Sequence, residues 1–288
     1  MPELPELEHT RLSLLPIRNK TISSVSIRRA DVCEAFSDSG SPLPISPAHL
    51  LQNARITSLI RRGKQIALIA ADGRTLCIQL GMSGRVLLRP ATKTKPQDLP
   101  AHTHILWHLA DNSSFLFTDP RRFGGLSAYP SQNSLLSLRW SKLGPDALTI
   151  RPADLAAACA DSHRAIKALL LDQSALAGVG NIYADESLFA ARIHPHTLAH
   201  KLTPRQLEAL ANSIRTILAR AIQSGGSTLR NYTNAAGTKG QAQLTHAVYA
   251  RSGQPCTICH RPLKSSRLAQ RSTTFCPHCQ PLRPHPAP

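Results

Sequence analysis

Four cysteines near the C-terminal end, Cys256, Cys259, Cys276 and Cys279, limit the folding of this chain more than any other feature. They form two C-x2-C knuckles sixteen residues apart. So short a segment cannot bury a core of its own, and this spacing sets four thiolates tetrahedrally around one ion, at about 2.3 Å for zinc. Two disulfides or a rubredoxin-like iron site would use the same residues; one structural Zn2+ is the expectation. The stretch between the knuckles carries Arg261, Lys264, Arg267 and Arg271, so the ion would hold a basic hairpin on a rigid tether. Cys33, Cys77 and Cys159 bring the total to seven. An oxidising compartment would leave at least one thiol unpaired, so these three read as buried, reduced thiols and the chain as cytoplasmic.

The basic finger belongs to a basic chain, in which 34 Lys and Arg face 17 Asp and Glu, a formal charge of +17. Such an excess could be a solvated surface that keeps the protein soluble, but it fits a polyanion partner better. Aromatic residues make up only 4%, which argues against a single-strand binder built on rows of stacking rings and for contact with duplex phosphates. No run of about 18 apolar residues is present, and the N-terminus, Met1-Pro2-Glu3-Leu4-Pro5-Glu6, is acidic rather than basic and then apolar. A membrane span and a secretory signal are therefore not expected.

Hydrophobic periodicity divides the chain. A short helix is expected from Leu4 to about Leu15, with Pro5 suited to its first turn. Short apolar runs follow at Ser24–Arg28, Ile56–Arg61, Gln65–Ala71, Thr75–Leu80, Arg85–Arg89, Ile105–Leu109 and Phe115–Thr118, with Asp72-Gly73 as a hairpin turn between two of them. These predict a β-sandwich or barrel, with a loop over Ala91–Ala101. Further on, Thr203-Pro204-Arg205-Gln206 offers an N-cap, a first-turn proline and a capping Gln. Apolar residues at 207, 210, 211, 214, 217, 218, 221 and 222 make one long amphipathic helix, stopped by Gly225-Gly226. Two shorter helices, Ala165–Leu171 and Ile182–Ala191, flank Gly178-Val179-Gly180-Asn181, where a helix N-terminus could meet an anion or merely cap a turn.

Six motifs, in order along nearly the whole chain, resemble the formamidopyrimidine-DNA glycosylases. They are Pro2-Glu3-Leu4-Pro5-Glu6, Arg61-Arg62-Gly63-Lys64, Leu80-Gly81-Met82-Ser83-Gly84, Asp119-Pro120-Arg121-Arg122-Phe123-Gly124, Gly178–Leu188 and the four-cysteine finger. The resemblance implies an α+β multidomain fold. An N-terminal β-sandwich domain would span 1–135, a helix–two-turn–helix domain with a lesion-capping loop 136–250, the zinc finger 251–280, and a Pro-rich tail 281–288. It implies a bifunctional DNA glycosylase and AP lyase of base excision repair, acting as a monomer on oxidised purines in double-stranded DNA.

Site residues follow from the same resemblance. With Met1 removed, Pro2 would be the nucleophile, because a secondary α-amine with a reference pKa of about 7.7–8 keeps a neutral fraction at pH 7. Glu3 would be the general acid and base, with Glu6 shaping the site, and Lys64 a proton donor in the elimination. Without the resemblance, Glu3 would read as a helix-dipole carboxylate, a role that suits Glu8 better, and Arg61 and Arg62 as solvent-facing strand charges. Met82, Arg121 and Phe123 match residues that fill the gap left by an everted nucleotide, although pattern alone would put Met82 and Phe123 in the core. His102, Arg121, Asn181 and Arg271 match phosphate-contacting positions, Arg271 also being tied to the second elimination. Ser227–Val248 would be a lid over the flipped base, its Gly, Thr, Asn and Gln content suiting mobility. His163 stands where a phosphate-contacting lysine is expected, and Gln79 where relatives carry His. Leu4, rather than glycine, favours the purine branch over an endonuclease VIII-like enzyme for oxidised pyrimidines. The rival from another class is a non-catalytic zinc-finger DNA-binding protein.

Overall fold

The computed structural model describes residues 2–91, 99–228 and 232–282. Part of the expected 91–101 loop, residues 229–231 of the expected lid, and 283–288 of the Pro-rich tail lie outside the described residues. The backbone gathers into two units, Met1–Lys142 with Ser224–Gln241, and Leu143–Gln223 with Ala242–Pro288.

The first unit opens with α1 (Leu4–Ser13). This helix ends before the expected Leu15 because Pro16 disfavours helical geometry at the residue preceding it, and a 3-10 turn, Leu15–Ile17, takes over. Ten strands follow: β1 (Ile22–Ile27), β2 (Cys33–Phe36), β3 (Pro42–Leu43), β4 (Ile56–Arg62), β5 (Gln65–Ala70), β6 (Thr75–Gln79), β7 (Arg85–Arg89), β8 (Thr103–Leu109), β9 (Ser114–Thr118) and β10 (Gly125–Tyr129). One sheet runs β1-β8-β9-β7, the other β3-β2-β10-β6-β5-β4. Inward residues of both sheets, among them Ile22, Val86, Ile105, Trp107, Phe115 and Phe117 from one and Ile56, Ile66, Leu68, Leu76, Ile78 and Leu126 from the other, share one core. That makes the fold a sandwich rather than a barrel. Trp107 stacks on Phe115 at 4.6 Å between centroids and donates its indole N–H to the Leu50 carbonyl at 2.9 Å, so a large ring is buried without stranding its polar atom. The Asp72-Gly73 turn joins β5 to β6, with Gly73 at φ 91°.

Helix α2 (Gln132–Leu138) also belongs to this unit and is capped by Ser131, whose Oγ accepts the Ser134 N–H at 3.1 Å. Ser224–Gln241, grouped by its sequence with the helical region, packs here too: the Ala235 carbonyl accepts the Leu88 N–H of β7 at 2.7 Å, and Ala235 lies in the sandwich core.

The second unit holds α3 (Pro152–Cys159), α4 (Ile166–Leu171), α5 (Asn181–Ala190), α6 (Pro204–Gln223) and the hairpin of β11 (Lys264–Leu268) and β12 (Arg271–Phe275). The capping box expected at α6 is present. Gln206 Oε1 accepts the Thr203 N–H at 3.0 Å, and Thr203 Oγ1 accepts the Gln206 N–H at 3.3 Å. Its apolar stripe buries Leu207, Leu210, Ala211, Ile214, Leu218 and Ala221, and Gly225 and Gly226, at φ 76° and 79°, follow its end.

Candidate active site and nucleic-acid interface

In the first unit Pro2 is half-buried, and Glu3, the N-cap of α1, is 2% exposed. Glu6 fixes this entry: its carboxylate accepts the Glu3 N–H at 2.8 Å through one oxygen and the Ser227 N–H at 2.6 Å through the other. A Cβ on Gly226 would lie 2.9 Å from that second oxygen, so glycine is what lets the root of the 227–240 segment reach the carboxylate. The Glu6 carbonyl accepts the hydroxyls of Tyr232 at 2.7 Å and Thr10 at 2.8 Å. The lid segment is thus tied down at several points, including Asn234, whose amide meets His9 Nε2 at 2.9 Å. Its composition suggests more freedom than these contacts leave it.

Lys64 does not start a strand as its sequence suggests. Arg62 pairs with Gln65 across β4 and β5, leaving Gly63 (φ 53°) and Lys64 as the two-residue turn between them. Arg61 is not solvent-facing: its side chain is 7% exposed and Nε meets Glu8 Oε2 at 3.0 Å. Glu8 in turn accepts Arg11 Nη2 at 2.6 Å, so it bridges helix and strand instead of serving the helix dipole. Burial raises the Glu8 pKa, but the two guanidiniums outweigh it and hold the carboxyl below its ordinary range.

Met82 and Phe123, expected from pattern alone to be core, are 45% and 56% exposed. Phe123 carries the Arg121 guanidinium 4.6 Å above its ring, and Arg121 is exposed as well. His102, exposed at φ 59°, ends the loop before β8. Arg122, which the sequence motif contains without singling it out, is exposed at φ 54° and bonds Asp31 at 3.0 Å. The Arg29 guanidinium, aided by Arg122, holds the Asp31 carboxyl at about 2. Of the isolated thiols, Cys33 is only half-buried, although burial pushes it up to about 12; Cys77 and Cys159 are buried as expected. Gln79 accepts Arg139 Nη2 at 2.9 Å within a polar network against β6, so it is spent on structure.

In the second unit Gly178 (φ 115°) turns the chain into α5, and Asn181 donates its side-chain N–H to the Ser272 carbonyl at 3.0 Å. Asn181 and Arg271, at the start of β12, are thereby neighbours. Ala269 and Gln270, at φ 46° and 57°, form the tight turn between β11 and β12, with Arg271 exposed beside it. Behind the hairpin lies a pair missed in the sequence, Lys167 and Asp185. Lys167 Nζ, 0% exposed, meets Asp185 at 2.7 Å, the Ser272 carbonyl at 2.9 Å and Thr273 Oγ1 at 2.8 Å, while Asp185 accepts the Thr274 N–H at 3.1 Å. Burial raises the Asp185 carboxyl to about 6 against the pull of Lys167. No local pattern reveals this, because both residues sit in apolar helix runs and meet only in space. His163 is exposed and packs on His200, with ring centroids 4.4 Å apart.

The four finger sulfurs lie within 4.8 Å of one another, with Cys256 and Cys279 at 3.9 Å and Cys259 and Cys276 at 3.5 Å. These separations are far too long for disulfides and bracket the edge, about 3.8 Å, of a tetrahedron with 2.3 Å bonds. Backbone N–H groups of Ile258 and Cys279 point at Cys256 and Cys276 Sγ, each at 3.4 Å, as thiolate acceptors need. The donor set fits Zn2+. Gln280 steadies the second knuckle, accepting the Cys276 N–H at 2.9 Å and donating to the Ile193 carbonyl at 2.8 Å.

Residues 1–126 match the formamidopyrimidine-DNA glycosylase N-terminal domain, residues 143–233 the formamidopyrimidine-DNA glycosylase H2TH domain, and residues 253–282 the zinc finger found in FPG and IleRS. The chain belongs to the formamidopyrimidine-DNA glycosylase family. It is 40% identical to the formamidopyrimidine-DNA glycosylase of Acinetobacter baylyi, over 98% of this chain and 99% of that one. It is 39% identical to that of Methylobacillus flagellatus, over 99% and 98%. The crystal structure of MutM (FPG) from Thermus thermophilus superposes with a TM-score of 0.84 at 36% identity, covering 98% of this chain and 100% of that one. A Lactococcus lactis FPG mutant in complex with Fapy-dG containing DNA gives 0.85 at 30% identity, covering 97% and 100%. The fold is that of the family: N-terminal sheet domain, H2TH domain and four-cysteine zinc finger. Among the described residues no helix is long and apolar enough to cross a membrane.

Proposed function

We infer that this chain removes oxidised purines, formamidopyrimidines and 8-oxoguanine, from duplex DNA in base excision repair and nicks the strand at the resulting site. It is a formamidopyrimidine-DNA glycosylase with AP lyase activity. The reading rests above all on Pro2 standing half-buried beside Glu3, a carboxyl that is 2% exposed at the mouth of α1.

With Met1 removed, the Pro2 nitrogen attacks C1′ of the everted nucleotide and the C1′–N bond to the damaged base breaks, the base leaving with a proton supplied by Glu3. The sugar ring opens to an iminium on Pro2. That cation acidifies the C2′ proton; its removal by Glu3 drives β-elimination of the 3′ phosphate, and a second proton loss drives δ-elimination of the 5′ phosphate. Lys64, on its hairpin turn, donates a proton in the elimination, and Arg271 assists the second step. Met82, Arg121 and Phe123 fill the gap in the stack, and their exposure supports that role. His102, Arg121, Asn181 and Arg271 contact phosphates, with a smaller contribution from His163. Zinc, when bound, holds the finger and takes no part in the chemistry. The enzyme works as a monomer on DNA in the cytoplasm.

Borohydride reduction on an 8-oxoguanine duplex tests this reading. A covalent protein–DNA product is expected from the wild type and not from Pro2→Gly; equal trapping by both would overturn the Pro2 chemistry. Faster excision of thymine glycol than of 8-oxoguanine would move the chain to the pyrimidine branch.

A further inference from the structure

Met82, Arg121 and Phe123 occupy two separate loops, 81–84 and 119–124, and two of the three present apolar side chains to solvent. Loops that carry exposed side chains lose conformational entropy when they become ordered, so a wedge that is loose before it meets DNA would insert poorly. These loops are not loose. A Cβ on Gly81 would fall 2.3 Å from the Phe123 carbonyl carbon, and one on Gly124 would fall 2.6 Å from the Gln79 oxygen. The two backbones are therefore in direct contact.

One side chain joins them. Asp119 is fully buried, and its carboxyl oxygens are filled by donors from both loops. Oδ1 accepts the Ser83 hydroxyl from the Met82 loop and the Arg121 N–H at 3.2 Å. Oδ2 accepts the Gly124 N–H at 2.7 Å. The Ser83 hydroxyl oxygen also receives the Arg121 N–H at 3.2 Å, so the donors interlock. The main chain of Asp119 is pinned as well: its N–H donates to the His102 carbonyl at 3.2 Å, and its carbonyl accepts Nε2–H of the buried His104 at 2.8 Å.

We propose that Asp119 is a positioning residue for strand insertion, a clasp that holds Met82, Arg121 and Phe123 in one arrangement before DNA arrives. The proposal rests on the reading of those three side chains as the gap-filling set. Asp119 touches no DNA itself. It acts by removing the cost of ordering two loops, and it sets His102 at a fixed distance from the wedge.

Asp119→Asn is the discriminating variant, because it keeps the volume and replaces one acceptor with an NH2 that faces donors. The probe is a duplex carrying a tetrahydrofuran site with 2-aminopurine beside it, whose fluorescence rises when a side chain unstacks the neighbouring base. Wild type should give a rise on binding, and Asp119→Asn should slow or reduce it at least tenfold. Its Tm should stay within a few degrees, and its borohydride trapping on a natural abasic duplex, where no base must be extruded, within about threefold. Ser83→Ala, which removes one donor and buries no new charge, should reduce the fluorescence rate by a smaller factor, about threefold. A wild-type rise in a folded Asp119→Asn overturns the clasp, as does a loss of trapping in proportion to the loss of fluorescence in both variants. If the wild type traps nothing, the Pro2 chemistry fails and the fluorescence comparison still decides the clasp. If the wild type gives no rise, the gap-filling reading fails and takes the clasp with it.

Discussion

The finger hairpin and the wedge loops face the same mechanical demand, to present charged or apolar side chains on a short turn without letting them wander, and they meet it differently. The hairpin of β11 and β12 has little core of its own: Cys256, Leu263 and Cys276 cluster with Phe189 and Val248. It relies on four thiolates at one end and on the buried Lys167–Asp185 pair against β12. The wedge loops grow from the edge of a large sandwich and need only one carboxyl, Asp119, to hold them. Where the underlying core is small, rigidity is imported as an ion; where it is large, hydrogen bonds to a buried side chain suffice.

Metal removal should separate the two regions most sharply. Structural zinc contributes apparent binding free energies of about 10–16 kcal/mol to small finger domains, more than this cluster of side chains can replace. Cys276→Ser, or prolonged chelation, is expected to release the metal and lower strand nicking by two orders of magnitude or more, while the sandwich keeps its β-sheet circular dichroism. Metal analysis run beside a nicking assay checks this. A zinc-free preparation that nicks at the wild-type rate would remove the ion from the finger's support.

Next in size is the pair behind the hairpin. Lys167→Met leaves Asp185 buried without its cation and should cost about 3–5 kcal/mol in urea unfolding, whereas Lys167→Met with Asp185→Leu should recover most of it. Equal losses in the single and double variants would show that the charge was not the cause. The pair also has a pH signature. Asp185 is raised from 3.8 to about 6 in the folded state, so between those values the folded protein binds more protons than the unfolded chain. The stability difference between wild type and Asp185→Asn should therefore move against the wild type as pH rises from about 4 to 6, and be flat above. Thermal melts across that window test the sign.

On the wedge side the expected effects are smaller and leave the fold untouched. Arg121→Ala removes one exposed cation, so its Tm should match the wild type and the salt dependence of duplex binding should flatten by about 0.7–0.9 in log–log slope. An unchanged slope would take Arg121 off the list of phosphate contacts and leave it only its place over Phe123.

The two regions also differ in how much of them the sequence discloses. The cysteine spacing states the finger's design outright, and the Thr203–Gln206 cap and Asp72-Gly73 turn are equally legible, because each depends on residues close in the chain. Strands β2 and β10 leave little trace: they pair in parallel across about ninety residues, and one is only four residues long. Helix α3 is hidden because its eight residues are largely alanine and form no apolar stripe. Asp119, Lys167 and Asp185 carry no local signature, since their partners are backbone groups and side chains brought in by the fold. Met82 and Phe123 are legible only through the family resemblance; periodicity alone places both inside.

The smallest expected effect belongs to His163, and it marks the lower limit of what the finger-bearing unit owes to charge. Its ring lies exposed at 4.4 Å from that of His200, and His200 Nδ1 sits 3.1 Å from the Ser162 carbonyl. Two imidazoles this close repel each other if both are protonated, so the pair carries about one positive charge where a lysine would have carried a permanent one. Arg164, the adjacent cation, is already engaged with Asp172 at 2.9 Å. His163→Ala should weaken duplex binding less than about twofold at pH 7.5. The loss should grow as pH falls toward 6, where histidine as a residue type gains its charge. His163→Lys should strengthen binding at pH 7.5 and steepen the salt slope by up to about 0.9. A pH-independent loss in His163→Ala would mean that the ring packs rather than pairs, and the phosphate contact at this position would have to come from another side chain.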